Sequence, residues 1–295
     1  MLKPYLEKLS LKVVHSEQII HEDSLSSSIF KLICEDETFI LKITFNEERF
    51  RREKYYLNKV KDYIPVPKII DLVEPTKELK GAILMQYLPS SIVFAVSLNN
   101  DLAYQMGALL AKLHQIPTRF YEDKTKGENL EPTLENGKYI LKDYFERSFN
   151  ECKNTLDINL LKHTEKYFYL NLEKITSLDG PCITHRDFKP GNIIIDNNKI
   201  TGLIDWEIAC NNFAEEDFCQ MHYLVWDDYP NTKEAFFKGY QSIRKLPDLS
   251  CIIPLLRVSK SLGSIGFTVE RNTYNNIHKH VYDKNVNYLK SFFNL

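Results

Sequence analysis

Thr184-His185-Arg186-Asp187-Phe188-Lys189-Pro190-Gly191-Asn192, continued by Ile193-Ile194-Ile195-Asp196-Asn197-Asn198-Lys199-Ile200-Thr201-Gly202-Leu203-Ile204-Asp205-Trp206-Glu207, is the most informative stretch of the chain. Two apolar, β-branched runs flank Asn197-Asn198. Both asparagines tolerate positive φ, so the pair predicts a two-residue hairpin turn. A turn centred there sets Asn192 opposite Leu203. Cross-strand partners share a sheet face with every second residue, so Asn192 and Asp205 become diagonal neighbours ~7–8 Å apart at the backbone. Oxygen ligands at ~2.1 Å from a magnesium ion span that gap. Asp187 precedes Asn192 in a Pro-Gly loop able to curl back toward the same spot.

Three such groups fit phosphoryl transfer, which needs a metal to neutralise charge and a group to orient the attacking hydroxyl. Asp187 would take the second task, and Asn192 with Asp205 the first. A hairpin with polar ends would explain any one of these residues. It does not explain all three in the order H-x-D-x-x-x-x-N and then Asp205.

Outward from this hairpin the chain changes character. The first ~88 residues are β-rich. Ser28–Cys34 and Thr38–Phe45 form a hairpin pattern around Glu35-Asp36-Glu37, and 46–60 reads as a helix with Asn46 as its N-cap. Lys68–Val73 and Ala82–Tyr87 read as strands, and Pro89-Ser90-Ser91 as a linker. Thereafter helices dominate. Leu102, Met106, Leu109, Leu110 and Leu113 make one stripe over 99–115, and helices are expected over 139–151, 156–177, 213–226, 231–245 and 250–293, with a loop at 118–138. The expected class is α+β, with a β-rich lobe over 1–88 and a mainly helical lobe over 89–295.

Composition narrows the function. The 295 residues carry 38 Lys and Arg against 40 Asp and Glu, for a net charge of −2, so no basic field invites nucleic acid. Hydrophobic residues make up 43%, enough for a full core. No apolar run reaches the ~18–20 residues of a membrane span, and no secretory h-region is read near the start. Six cysteines without a C-x-x-C pair argue against a disulfide frame or zinc site. A cytoplasmic protein is expected.

The loop and hairpin resemble those of kinase-like phosphotransferases, the aminoglycoside phosphotransferase and choline kinase group. That resemblance implies a bilobal protein-kinase-like fold and an ATP-dependent enzyme that phosphorylates a small hydroxyl compound. It implies Asp187 as catalytic base, Asn192 and Asp205 as Mg²⁺ ligands and His185 as a loop-stabilising residue. In the first lobe, Lys42 matches the lysine that grips the nucleotide phosphates, and Glu53 the helix acid that pairs with it. Gln86 and Leu88 fall in the hinge, whose backbone accommodates ATP or GTP, while Ile40 and Ile194 are placed to sandwich the base. The phosphate loop falls near 22–28, without glycine, leaving Ser27 and Ser28 with their neighbours to supply N–H groups and hydroxyls.

The aminoglycoside or choline-like acceptors of such enzymes are cationic. Glu207, Glu215, Glu216, Asp227, Asp228 and, later, Glu270 are the candidate acids for one, with Trp206, Trp226 and Tyr229 as aromatic faces. Two other readings compete. A protein kinase would need D-F-G, where the chain has Asp205-Trp206-Glu207, and an A-P-E stretch, which it lacks. A non-catalytic nucleotide-binding protein on this scaffold would have lost Lys42, Asp187, Asn192 or Asp205, and all four are present.

Overall fold

Short apolar, β-branched segments build the first sheet. The computed structural model describes residues 2–19, 27–89, 91–93, 97–227 and 229–295. The phosphate-loop residues 22–26, Ser90 and Asp228 lie outside them. Two compact units divide the chain. One comprises 1–116, 185–210 and 224–245, and the other 117–184, 211–223 and 246–295.

In the first unit, helix α1 (Lys3–Lys8) precedes β1 (Val13–Ile19), β2 (Ser28–Cys34) and β3 (Thr38–Ile43). Helix α2 (Glu47–Val60) follows, then β4 (Ile69–Val73) and β5 (Ala82–Gln86). The strands form an antiparallel sheet in the order β1-β2-β3-β5-β4. Phe30, Leu32, Leu41, Ile43, Ala82 and Leu84 form one core with Tyr5 and Leu9 from the α1 region. The other face carries Ile29, Ile40, Lys42, Ile83 and Met85, because Lys42 pairs with Ile29 and Ile83. Helix α2 opens as expected, with Asn46 Oδ1 accepting the Arg49 N–H at 3.0 Å and Glu47 and Glu48 in its first turn. Its buried residues are Phe50, Glu53, Tyr56, Leu57 and Val60, a helical stripe that includes one acid.

The rest of this unit holds the hairpin strands Ile193–Asp196 and Lys199–Leu203, joined by β6 (Ser91–Ile92). Part of the expected linker is therefore strand, since Ser91 pairs with Ile195. Helix α3 (Asn100–His114), capped by the Asn99 side chain, buries the whole predicted stripe. It meets helix Lys233–Gln241 through glycine. A Cβ on Gly107 would stand 1.9 Å from the Phe236 carbonyl oxygen, and one on Gly239 1.9 Å from that of Tyr104.

The second unit is mainly helical: Leu134–Cys152, Ile158–Leu172, Glu215–Met221, Ile252–Glu270 and Lys279–Phe293. Phe145 and Phe168 stack at 3.8 Å between the first two of these helices. The first starts earlier than expected because Thr133 caps it, accepting the Asn136 N–H at 3.2 Å. Within the expected loop, Tyr121–Asp123 and Glu128–Leu130 pair as a short hairpin. Helix Ile252–Glu270 has the length and apolarity to cross a membrane, yet 67% of that window is buried inside the protein.

Candidate active site

The hairpin turn forms as expected, with Asn197 at φ 48° and Asn198 at φ 61°. Asp196 faces Lys199 and Ile195 faces Ile200, but then the register slips. Thr201 is the extra residue of a β-bulge, so Ile194 faces Gly202 and Ile193 faces Leu203. Asn192 therefore does not stand opposite Leu203. Its carbonyl accepts the Ile204 N–H at 3.0 Å. The simple diagonal relation to Asp205 is lost, and a backbone twist takes its place. Asp205 has φ 70°, a left-handed conformation costing a non-glycine residue about 1–3 kcal/mol, and it redirects the side chain where the strand has ended.

From there Asp205 Oδ1 accepts a hydrogen bond from Lys42 Nζ at 2.7 Å. Lys42 also lies 2.7 Å from Glu53 Oε2 and 3.5 Å from Glu207 Oε2. The side chains of Lys42 and Glu53 are 4% and 1% exposed, so water screens this ion pair little. Burial opposes the charge on Lys42, yet Asp205, Glu53 and Glu207 outweigh it and hold its pKa above the ordinary lysine value. Burial pushes the Glu53 carboxyl up, while Lys42 pulls it down.

The Asp187 loop closes on itself. Asn192 Nδ2 donates to Asp187 Oδ2 and to its backbone oxygen, both at 2.8 Å. Lys189 Nζ reaches the same Oδ2 at 3.1 Å. Arg186, at φ 66°, makes the sharp turn into this loop. His185 is fully buried. Its Nε2 donates to the Ile204 carbonyl at 3.0 Å, and its ring meets Trp206 edge-on at 4.6 Å. The loop and the residues before Asp205 are thus stapled together by a buried histidine.

The other expected site residues divide. A Cβ on Gly202 would meet Leu88 Cδ1 at 2.5 Å and Ile194 Cβ at 3.7 Å, so Leu88 and Ile194 come together over that glycine. Ile40 lies on the Lys42 face of the sheet. The Gln86 N–H is taken by the Lys68 carbonyl at 2.9 Å. Ser28 begins β2 opposite Ile43, and Ser27 Oγ donates to Glu207 Oε2 at 2.8 Å. Glu207, expected on the acceptor side, is 6% exposed and also binds Arg49 Nη1. Trp206 and Trp226 are not open aromatic faces either. Trp206 is fully buried, and Trp226 is 4% exposed with Phe236 edge-on at 5.1 Å. Asp227 is exposed. Glu270, also exposed, ends helix Ile252–Glu270, where its charge reinforces burial in raising the pKa of Glu151.

Carboxylate oxygens of Glu53, Asp205 and Glu207 lie within 4.8 Å of one another, a hard-oxygen donor set suited to Mg²⁺. The sequence reading missed Arg49. Its signal was present, because Arg49 precedes Glu53 by one helical turn and so shares its face.

A family model described as the phosphotransferase enzyme family, APH, matches residues 18–251. The chain belongs to this family. A homoserine kinase of Gluconobacter oxydans (strain 621H) is 29% identical over 177 residues, which make up 57% of this chain and 52% of that enzyme. The chain thus spans about half the length of that relative. Among solved structures, a thermostable mutant of aminoglycoside phosphotransferase APH(4)-Ia, in a ternary complex with AMP-PNP and hygromycin B, is similar with a TM-score of 0.73 and 14% identity. It covers 98% of this chain and 97% of its own. Macrolide 2'-phosphotransferase type I has a TM-score of 0.70 at 17% identity, covering 96% and 95%. The α+β, kinase-like phosphotransferase fold expected from the sequence is the fold found.

Proposed function

We propose that the protein is an ATP-dependent phosphotransferase that moves the γ-phosphate to a hydroxyl of a small molecule. The observation that carries this is Lys42, on the sheet, held between the helix acid Glu53 and Asp205 at the end of the hairpin. A buried lysine shared by two carboxylates leaves a cation ready for nucleotide phosphates once Asp205 turns to a metal. Residues 1–88 would form the nucleotide lobe, with Ile40, Leu88 and Ile194 around the base and Ser27 and Ser28 near the phosphates. Residues 89–295 would carry the acceptor.

The donor set fits Mg²⁺. Asp205 and Asn192 would hold it. Bound there, it would neutralise charge on the transferring phosphoryl group. Asp187 would orient the acceptor hydroxyl and take its proton at Oδ2, the oxygen that Asn192 and Lys189 already hold in place. His185 would keep this loop in register with Asp205.

The acceptor reading has two forms. A cationic acceptor, aminoglycoside-like or choline-like, rests on the exposed Asp227, since Glu207 is engaged elsewhere. A zwitterionic hydroxy amino acid such as homoserine is favoured by the sequence likeness to a homoserine kinase. Coupled ADP release with aminoglycosides, macrolides, choline, ethanolamine and homoserine separates them. Turnover with one class identifies it. ATP turnover with none of them removes the small-hydroxyl reading.

A further inference from the structure

Residues 205, 207 and 209 are each gripped by the first sheet or by α2. Asp205 binds Lys42, Glu207 binds Arg49 and Ser27, and the Ala209 carbonyl accepts from Arg52 Nη1 at 2.9 Å. Arg49 and Arg52 thus dock α2 onto this segment, while Glu53, on the same helix, aims Lys42. The cluster holds two cations, Lys42 and Arg49, against the carboxylates of Glu53, Asp205 and Glu207.

We infer that Arg49 is a positioning residue for the phosphate lysine. By neutralising Glu207, it keeps Lys42 on Glu53 and Asp205 and free to meet phosphate. The geometry explains why this is needed. Glu207 Oε2 lies 3.5 Å from Lys42 Nζ, against 2.7 Å for each of the other two acids. Its side chain is 7% exposed, so water cannot stabilise its charge. Without Arg49, Lys42 at 3.5 Å is a cation within reach of Glu207. Glu207 would draw it in, and a third carboxylate would compete with nucleotide phosphates for the same ammonium. Arg49 therefore acts through Glu207, and its own side chain, 25% exposed, does not need to touch the nucleotide.

This inference rests on the proposed nucleotide site. It is tested by calorimetry of ADP binding in excess EDTA, which reads the lysine without metal and without turnover. Five proteins are compared: the parent, Arg49→Ala, Arg49→Lys, Glu207→Gln and the double variant Arg49→Ala with Glu207→Gln. Arg49→Ala is expected to weaken ADP binding about tenfold, and Glu207→Gln to restore it to within about twofold of Glu207→Gln alone, because a neutral amide no longer competes for Lys42. Arg49→Lys, which keeps the positive charge beside Glu207, is expected to stay within about threefold of the parent. Equal losses from Arg49→Ala in both backgrounds would mean that Arg49 acts on the phosphates directly, and would overturn the inference while leaving the nucleotide site intact. A tenfold loss in Arg49→Lys would overturn it as well. A parent that binds ADP with Mg²⁺ but not in EDTA would overturn this inference alone, since Lys42 would then not hold phosphate by itself, and a parent that binds no ADP with or without Mg²⁺ would overturn the functional reading and this inference with it.

Discussion

Asp205 is the residue on which the sheet's Lys42 and the end of the hairpin meet, and it is the metal ligand of the proposed site. Its left-handed backbone is tolerated because asparagine and aspartate adopt that conformation more readily than other non-glycine residues. Asp205→Asn keeps that backbone and removes the carboxylate charge. Calorimetry should then show ATP bound no more tightly with Mg²⁺ than without, since a hard cation has lost its central carboxylate. An unchanged gain from Mg²⁺ would place the metal elsewhere. Lys42 and Glu53 should behave as one unit. Lys42→Met leaves Glu53 buried without its cation, while Glu53→Gln leaves the lysine present but unaimed. The double variant should lose little more kcat/KM for ATP than Lys42→Met alone. Losses that multiply would argue against the pairing. Glu207 shows how a residue's neighbour in sequence can mislead. It follows Asp205 by two positions, which suggests exposure to the acceptor, but burial of a charged side chain cannot be read from its spacing. Only the partners on α2 and before β2 reveal it.

Among the elements, the hairpin was legible and its bulge was not. Asn197-Asn198 announces the turn, and the β-branched runs announce the strands. An extra residue at Thr201 leaves the apolar pattern unchanged, with Gly202 beside it as the faint cue. Strand β1 was invisible for a different reason. It is an edge strand with six of its seven residues exposed, so no alternation marks a buried face. The crossing of α3 with helix Lys233–Gln241 depends on contacts that only glycine allows. Gly239→Ala and Gly107→Ala should each cost about 1–3 kcal/mol, because backbone rather than a flexible side chain must move. Gly191→Ala, whose Cβ would meet nothing nearer than Lys189 Cε at 3.8 Å, is the control and should melt near the parent. A Gly239→Ala protein that melts with the control would contradict this packing.

At the scale of the whole molecule, near-neutral charge and a full apolar core fit a small-molecule enzyme, and the order of motifs along the chain made the fold readable. The acceptor side was less readable, because substrate-binding residues follow no fixed spacing. Two of the aromatic residues expected there are core instead. If Asp227 does attract a cation, acceptor KM should rise with ionic strength while kcat changes less, as screening acts over ~8–10 Å at physiological salt. Asp227→Lys should raise acceptor KM well beyond any effect on ATP KM. A KM flat from low to high salt would favour a neutral or zwitterionic acceptor. The most direct measurement follows phosphate itself. The parent and Asp187→Asn are incubated with Mg·ATP and the acceptor panel, and ADP and phosphorylated product are quantified together. The parent should form both in equal amounts with at least one acceptor. Asp187→Asn should bind ATP as well as the parent yet turn over about 10²–10⁴-fold more slowly, having lost the group that orients and deprotonates the hydroxyl. No phosphorylated product from the parent with any acceptor, or turnover by Asp187→Asn within twofold of the parent, would contradict the assignment.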